Sequence, residues 1–179
     1  MDKLLQLLSR YFNYPIVQIQ RIYCTYMGHE LYTCCPEYGI AVGGVMDEIS
    51  LDQNQYQIVG IINMCDEWED QTMIDTLWLR CIDTFEPTVM NMLQAVLFIE
   101  SKLQFLDTDD SFNKLVYIHC RLGVGRSATI CIAWLCYRYG MTLDEAYKYL
   151  KNQRPQIKDN IHTRQNIVEF YNIYCQLKK

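Results

Sequence analysis

Four short apolar runs punctuate the chain: Ile40–Val45, Gln57–Met64, Leu77–Ile82 and Leu115–His119. Each is partly β-branched and bounded by turn or polar residues, which predicts strands. Elsewhere the period changes. Thr88–Phe105 carries Val89, Met92, Leu93, Val96 and Leu97 at helical spacing and ends before the polar stretch Asp107–Asn113. Ser127–Tyr139 is apolar nearly all round, which predicts a buried helix stopped by Gly140. Thr142 with Glu145 forms a capping box for a helix reaching about Gln153, before Pro155. A last helix is expected over Thr163–Leu177. Strands first, then strand–loop–helix alternation, predict an α/β domain with a central sheet and helices against it.

At 179 residues the chain fits one domain and can bury a real core. The net charge of −5 argues against a general nucleic-acid binder, which needs surplus Lys and Arg. A locally positive site for a small anion remains compatible with it. Nine cysteines are an odd number, and Cys131 and Cys136 sit in apolar runs where free Cys behaves as a small hydrophobe. A reducing, cytoplasmic home is expected, with a mitochondrial one as the alternative. No C-x-x-C occurs, and Cys34-Cys35 with His29 lacks usual ligand spacing, so no metal site is expected. No stretch approaches the roughly 18 apolar residues of a membrane span. Leu4, Leu5, Leu7 and Leu8 near the start suit a short helix packed on the domain; peripheral membrane contact is the other reading. The expected division is a helical extension over 1–25 and a main domain over 26–179.

The chemistry concentrates in Leu115-Val-Tyr-Ile-His-Cys-Arg-Leu-Gly-Val-Gly-Arg-Ser-Ala-Thr129. A buried strand delivers Cys120; Arg121, Leu122, Gly123, Val124 and Gly125 form a short loop; Arg126 and Ser127 open a helix. Loop amides followed by a helix N-terminus make an anion cradle. Glycines let the backbone approach the anion. The Arg126 guanidinium can hold two phosphate oxygens at once. A cysteine at the base of such a cradle is stabilised as a thiolate by the same positive field. Nucleophile and anion grip therefore come from one loop, as covalent phosphoryl transfer requires. A core cysteine leading into an ordinary turn would explain Cys120 but not the glycines, the Arg opening an apolar helix and the adjacent hydroxyl together.

This His-Cys-x5-Arg-Ser stretch resembles the signature of the protein-tyrosine phosphatase superfamily, and Arg126-Ser-Ala-Thr129 resembles its dual-specificity branch. Gly140–Ala146, and Arg154–Ile157 with Asn160, resemble the helices that follow the loop there. The likeness covers roughly residues 38–175. It implies a cysteine-phosphatase fold with a mostly parallel central sheet flanked by helices. It also implies roles: Cys120 the nucleophile, Arg126 the phosphate clamp, the five loop residues the substrate cradle. Ser127 eases breakdown of the phosphocysteine, His119 orients the loop and helps tune the thiol, and Asn160 braces the loop from behind. Two positions depart from the pattern. Gly125 stands where most dual-specificity members carry Ser, and Leu122 replaces an Ala common in several lipid- and glucan-directed branches.

Expelling an alkoxide or phenoxide calls for a proton donor. An acid after a strand is the family's general acid, and Asp83 in Asp83-Thr-Phe-Glu86 is the matching position; Glu86, Asp75 and Asp66 are alternatives. No cofactor is implied, because Arg126 and the amides supply charge stabilisation. The implied partner is a phosphorylated protein substrate, carrying phosphotyrosine or phosphoserine/threonine. A phospholipid is the alternative, because Asn63-Met-Cys-Asp-Glu-Trp-Glu69 resembles a segment of the mitochondrial phosphatidylglycerophosphate phosphatases. An inactive phosphate-binding module of the same fold ranks last, since Cys, Arg and Asp are all present. Oligomeric state is not legible.

Overall fold

A computed structural model describes residues 30–45, 56–66, 72–104 and 114–176, together with Ile22 and Tyr26. The N-terminal extension, the segment 67–70 and the insertion around Asp107–Asp110 lie outside the described residues.

Five strands form one sheet: β1 (Tyr32–Cys35), β2 (Ile40–Gly44), β3 (Gln57–Cys65), β4 (Thr76–Cys81) and β5 (Lys114–Cys120). Their order is β1-β2-β5-β3-β4. Three neighbouring pairs are parallel and β1 runs antiparallel at one edge. The helices are α1 (Val89–Leu103), α2 (Arg126–Tyr139), α3 (Leu143–Gln153) and α4 (Gln165–Phe170). The sheet is therefore mostly parallel, of the α/β kind.

The alternation along β5 sets the two layers. Val116 and Ile118 join the larger core with α1, α2, α3 and α4, whereas Leu115 and Tyr117 join a smaller cluster on the opposite face with Ala41 and Ile61. That second cluster contains no residue of a described helix. The all-round apolar helix α2 is the hub, with every residue from Arg126 to Cys136 buried. Even its Trp134 indole is satisfied, donating to the Tyr38 carbonyl at 2.9 Å. Gly140 ends α2 at φ 68°, its amide bonded to the Cys136 carbonyl. The Thr142–Glu145 capping box opens α3 as the pattern predicts.

Two elements differ from the sequence pattern. β1 has only four residues and stops at Pro36, too short a run for period 2 to stand out. The expected helix over Thr163–Leu177 is broken: a 3-10 turn covers Ile161–Thr163, Arg164 is extended, and α4 begins at Gln165 before widening into a π turn at Tyr171–Cys175. The break is held by a remote cap. Glu86 Oε2 accepts from the Asn166 amide at 3.2 Å, and Asn166 Nδ2 donates to the Pro87 carbonyl, tying α4 to the loop after β4.

In the register, Gly43 lies beside His119 and Gly44 beside Cys120, so β2 ends level with the end of β5. A Cβ on Gly43 would fall 2.3 Å from Tyr117 Oη and 2.9 Å from Tyr32 Cβ. Tyr117 Oη also donates to the Gly44 carbonyl at 2.8 Å. Gly43→Ala is accordingly expected to cost about 1–3 kcal/mol by overpacking and loss of that bond. Denaturant unfolding of the variant against the parent measures it; an unchanged midpoint would refute the packing argument.

Candidate active site

Cys120 ends β5 and Arg126 begins α2, so the loop between them crosses the C-terminal edge of the sheet. Gly123 makes this crossing possible. It sits at φ +68°, and a Cβ there would lie 2.4 Å from the Gly43 carbonyl carbon, so both conformation and space demand glycine. Arg154 holds the loop from the interior. It is 2% exposed; its Nε donates to the Gly123 carbonyl at 2.9 Å. Its remaining donors reach Thr33 Oγ1, Glu30 O and Leu31 O at 3.1–3.2 Å. From the outer side, the Lys158 amide donates to the Val124 carbonyl at 2.8 Å.

Cys120 is 3% exposed. Burial alone pushes its thiol up, but the Arg126 guanidinium, the Ser127 hydroxyl and the Ser127 and Leu122 amides outweigh it and bring the pKa down to about 7. Ser127 Oγ lies 3.3 Å from the sulfur. Arg126 is also withdrawn from water, and both terminal nitrogens of its guanidinium are engaged. Nη1 donates to the Cys81 carbonyl at 2.6 Å and the Met64 carbonyl at 3.2 Å. Nη2 meets Asp83 Oδ1 at 2.9 Å. Arg121 Nη1 stands 3.7 Å from the other Asp83 oxygen. Cys120, Arg126, Asp83, Leu122, Val124 and Gly125 line one cleft, joined by Thr84, Phe85, Lys158 and Arg164. A cysteine of lowered pKa, a glycine-containing loop, three basic side chains and a carboxyl thus line one cleft on an acidic protein.

With that geometry in hand, residues 45–173 match the family model described as "Dual specificity phosphatase, catalytic domain". The chain belongs to this family. Dual specificity protein phosphatase 16 of Homo sapiens is 34% identical over 73 residues, 41% of this chain and 11% of that protein. The phosphatidylglycerophosphate phosphatase PTPMT1 of Arabidopsis thaliana is 28% identical over 125 residues, 65% of this chain and 35% of that protein. The chain thus spans about a tenth to a third of the length of these curated relatives. The crystal structure of DUSP15 superposes with a TM-score of 0.68 at 22% identity, covering 81% of this chain and 90% of that one, a likeness of fold.

Within this dual specificity phosphatase domain, the alternative acids lie elsewhere or are engaged. Asp75 precedes β4 at the opposite end of the sheet and pairs with Lys102. Glu86 caps α4 and faces Arg164. Asp66 follows β3, exposed. His119 is fully buried and stacks on Tyr117 with centroids 5.7 Å apart. Asn160 requires a correction: its side chain is exposed, its backbone is left-handed at φ 56°, and its carbonyl accepts from Thr163. The brace behind the loop is Arg154 instead. Asn63, read as part of a lipid-type segment, is buried and accepts from the Cys65 amide at 2.7 Å, shaping the bulge at the end of β3. Arg154, Lys158 and Arg164 were not assigned as site residues from the sequence, because their partners are distant along the chain; the one signal was that Arg154 lies in the family-like stretch Arg154–Ile157.

Among the described residues, no group of three or more His, Cys, Asp or Glu side chains is placed to hold a metal ion. No helix there is long and apolar enough to cross a membrane. The thiolate fraction of Cys120 grows as pH rises through its pKa, so its alkylation by iodoacetamide is expected to climb about a midpoint near 7. Ser127→Ala removes a hydrogen bond to the thiolate and should move that midpoint upward. Mass-mapped alkylation rates across the range test both; a midpoint at the ordinary thiol value would contradict the electrostatic account.

Proposed function

We propose that this domain hydrolyses phosphate monoesters of phosphoproteins, at phosphotyrosine and phosphoserine/threonine, through a phosphocysteine intermediate. The observation that carries the reading is the buried Cys120 poised near neutral pH beside a buried Arg126. In the first step the Cys120 thiolate attacks phosphorus, the bond to the leaving oxygen breaks, and Asp83 gives that oxygen its proton. In the second, water loses a proton to Asp83 and attacks phosphorus. The P–S bond breaks, and the Ser127 hydroxyl donates to the departing thiolate. Arg126 and the amides of the loop from Arg121 to Gly125 bear the charge on the phosphoryl oxygens throughout.

The Asp83–Arg126 contact adds a condition to this cycle. The carboxylate occupies a guanidinium edge that a phosphate held at two oxygens needs. Substrate binding therefore exchanges carboxylate for phosphate on Arg126, freeing Asp83 to turn toward the leaving group. His119 fixes the end of β5 from within the core. The eight described cysteines are free thiols, which supports a reducing, cytoplasmic setting. Residues 26–179 form the catalytic unit in this reading, with 1–25 an extension to it.

A phospholipid monoester is the second reading. The longer match with the Arabidopsis thaliana PTPMT1 favours it, as do the exposed Ile82 and Phe85 beside the cleft. One panel decides: wild type, Cys120→Ser and Asp83→Asn against phosphotyrosine peptide, phosphothreonine peptide and phosphatidylglycerophosphate in mixed micelles. Wild type is expected to cleave the phosphopeptides and Cys120→Ser none of the three. Asp83→Asn should lower kcat on the order of 10²–10⁴-fold for the phosphothreonine peptide, whose leaving group is poor. Cleavage of the lipid alone would select the second reading; turnover by Cys120→Ser would end the covalent mechanism.

A further inference from the structure

Four cations surround the cleft, and three of them face acids. Arg126 and Arg121 face Asp83, and Arg164 faces Glu86 at 3.9 Å. Lys158 is different: among the described residues its ammonium has no acidic partner. The neighbouring Asp159 does not compensate it, because that carboxylate binds Lys151 at 2.8 Å and accepts from Tyr147. Yet Lys158 is not a loosely placed surface lysine. Its amide is fastened to the Val124 carbonyl, so its backbone moves with the loop that holds the phosphate.

The stem is placed too. If residue 125 had a Cβ, that atom would lie 3.4, 3.6 and 3.7 Å from Lys158 Cδ, Cε and Nζ. The side chain thus lies along the space that a larger residue at 125 would share with it. Gly125 caps the N-terminus of α2, immediately before Arg126. The ammonium therefore stands at the cleft wall beside the phosphate grip. Arg126 and the loop amides already suffice for the reacting phosphoryl group, so an added unpaired cation there serves a second anion on the same substrate.

We propose that Lys158 is a specificity-determining residue that reads an acidic side chain flanking the phosphorylated residue of the substrate. The selected substrate is then an acidic phosphopeptide. This rests on the phosphoprotein reading above and refines it. Arg164 shares the wall but keeps Glu86 as its partner, so Lys158 carries the discrimination.

The test compares kcat/KM on two phosphotyrosine peptides, one with Glu and one with Ala at the flanking positions, at fixed low salt. Wild type is expected to prefer the Glu peptide about fivefold, the size of a partly exposed ion pair. Lys158→Ala should bring that ratio close to one, chiefly through KM, and Lys158→Arg should restore it. Raising the ionic strength should compress the wild-type ratio. If wild type cleaves both peptides without preference, or Lys158→Ala keeps the preference, this proposal fails while the phosphoprotein reading stands. If wild type cleaves neither peptide yet hydrolyses phosphatidylglycerophosphate, both fail together. Equal losses on the two peptides would assign Lys158 to the reacting phosphate and overturn the flanking-residue role.

Discussion

A thiol and a guanidinium kept out of water side by side govern this structure. Burial drives Cys120 to hold its proton, and a guanidinium as deeply buried as Arg126 is costly unless its donors are met. Each solves the other's problem. The guanidinium holds the thiol near neutrality, while two strand-end carbonyls and Asp83 occupy the guanidinium. Neither arrangement survives if the loop between them shifts, which is why so much of the neighbouring structure is committed to its backbone. Gly123 admits it against Gly43, Arg154 pins the Gly123 carbonyl, and the Lys158 amide pins Val124.

The parallel sheet supplies the rest by topology. β3, β4 and β5 point the same way, so their last carbonyls and the loops after them gather at one edge. Met64 ends near β3's bulge, Cys81 closes β4, and Asp83 follows two residues later. Arg126 reaches across all of these from the start of α2. A single side chain thereby joins two strand ends and the Asp83 loop, and the loop is further tied to α4 through Glu86 and Pro87. The acid's position is thus set by the sheet edge and by the C-terminal helix together.

Most of the architecture was legible because period and punctuation agreed. β2, β3, β4, β5 and α1 to α3 lie where apolar runs, Gly140 and the Thr142–Glu145 box put them. The loop was legible for a chemical reason: a strand-end Cys, two glycines and an Arg opening an apolar helix have few other uses. What escaped depended on contacts distant in sequence. β1 is four residues long and lives on its pairing with β2. The break before α4 is capped by Glu86, some 80 residues upstream. Arg154 stood in the family-like stretch with no role assigned, because most of its partners come from the segment around β1, more than 120 residues away. Asn160 was transferred by resemblance alone, and here the left-handed turn points it to solvent.

The stretch Arg154–Lys158 binds stability to recognition. At one end a buried Arg holds Gly123; at the other an exposed Lys is fastened to Val124 and lies over Gly125. Between them, Ile157 is in the core at 1% exposure, so the segment cannot slide. A change in length here would release the loop before it altered the substrate, whereas a change of the Lys158 side chain alone leaves every one of these backbone bonds in place. Recognition at this wall is therefore free to vary only through side chains, at residue 125 and residue 158, and the two must vary together because they share one space. A glycine at 125 is the condition for a long cation at 158 to lie along the cleft wall. That coupling gives the departure at Gly125 a physical reason that the loop's chemistry alone does not supply.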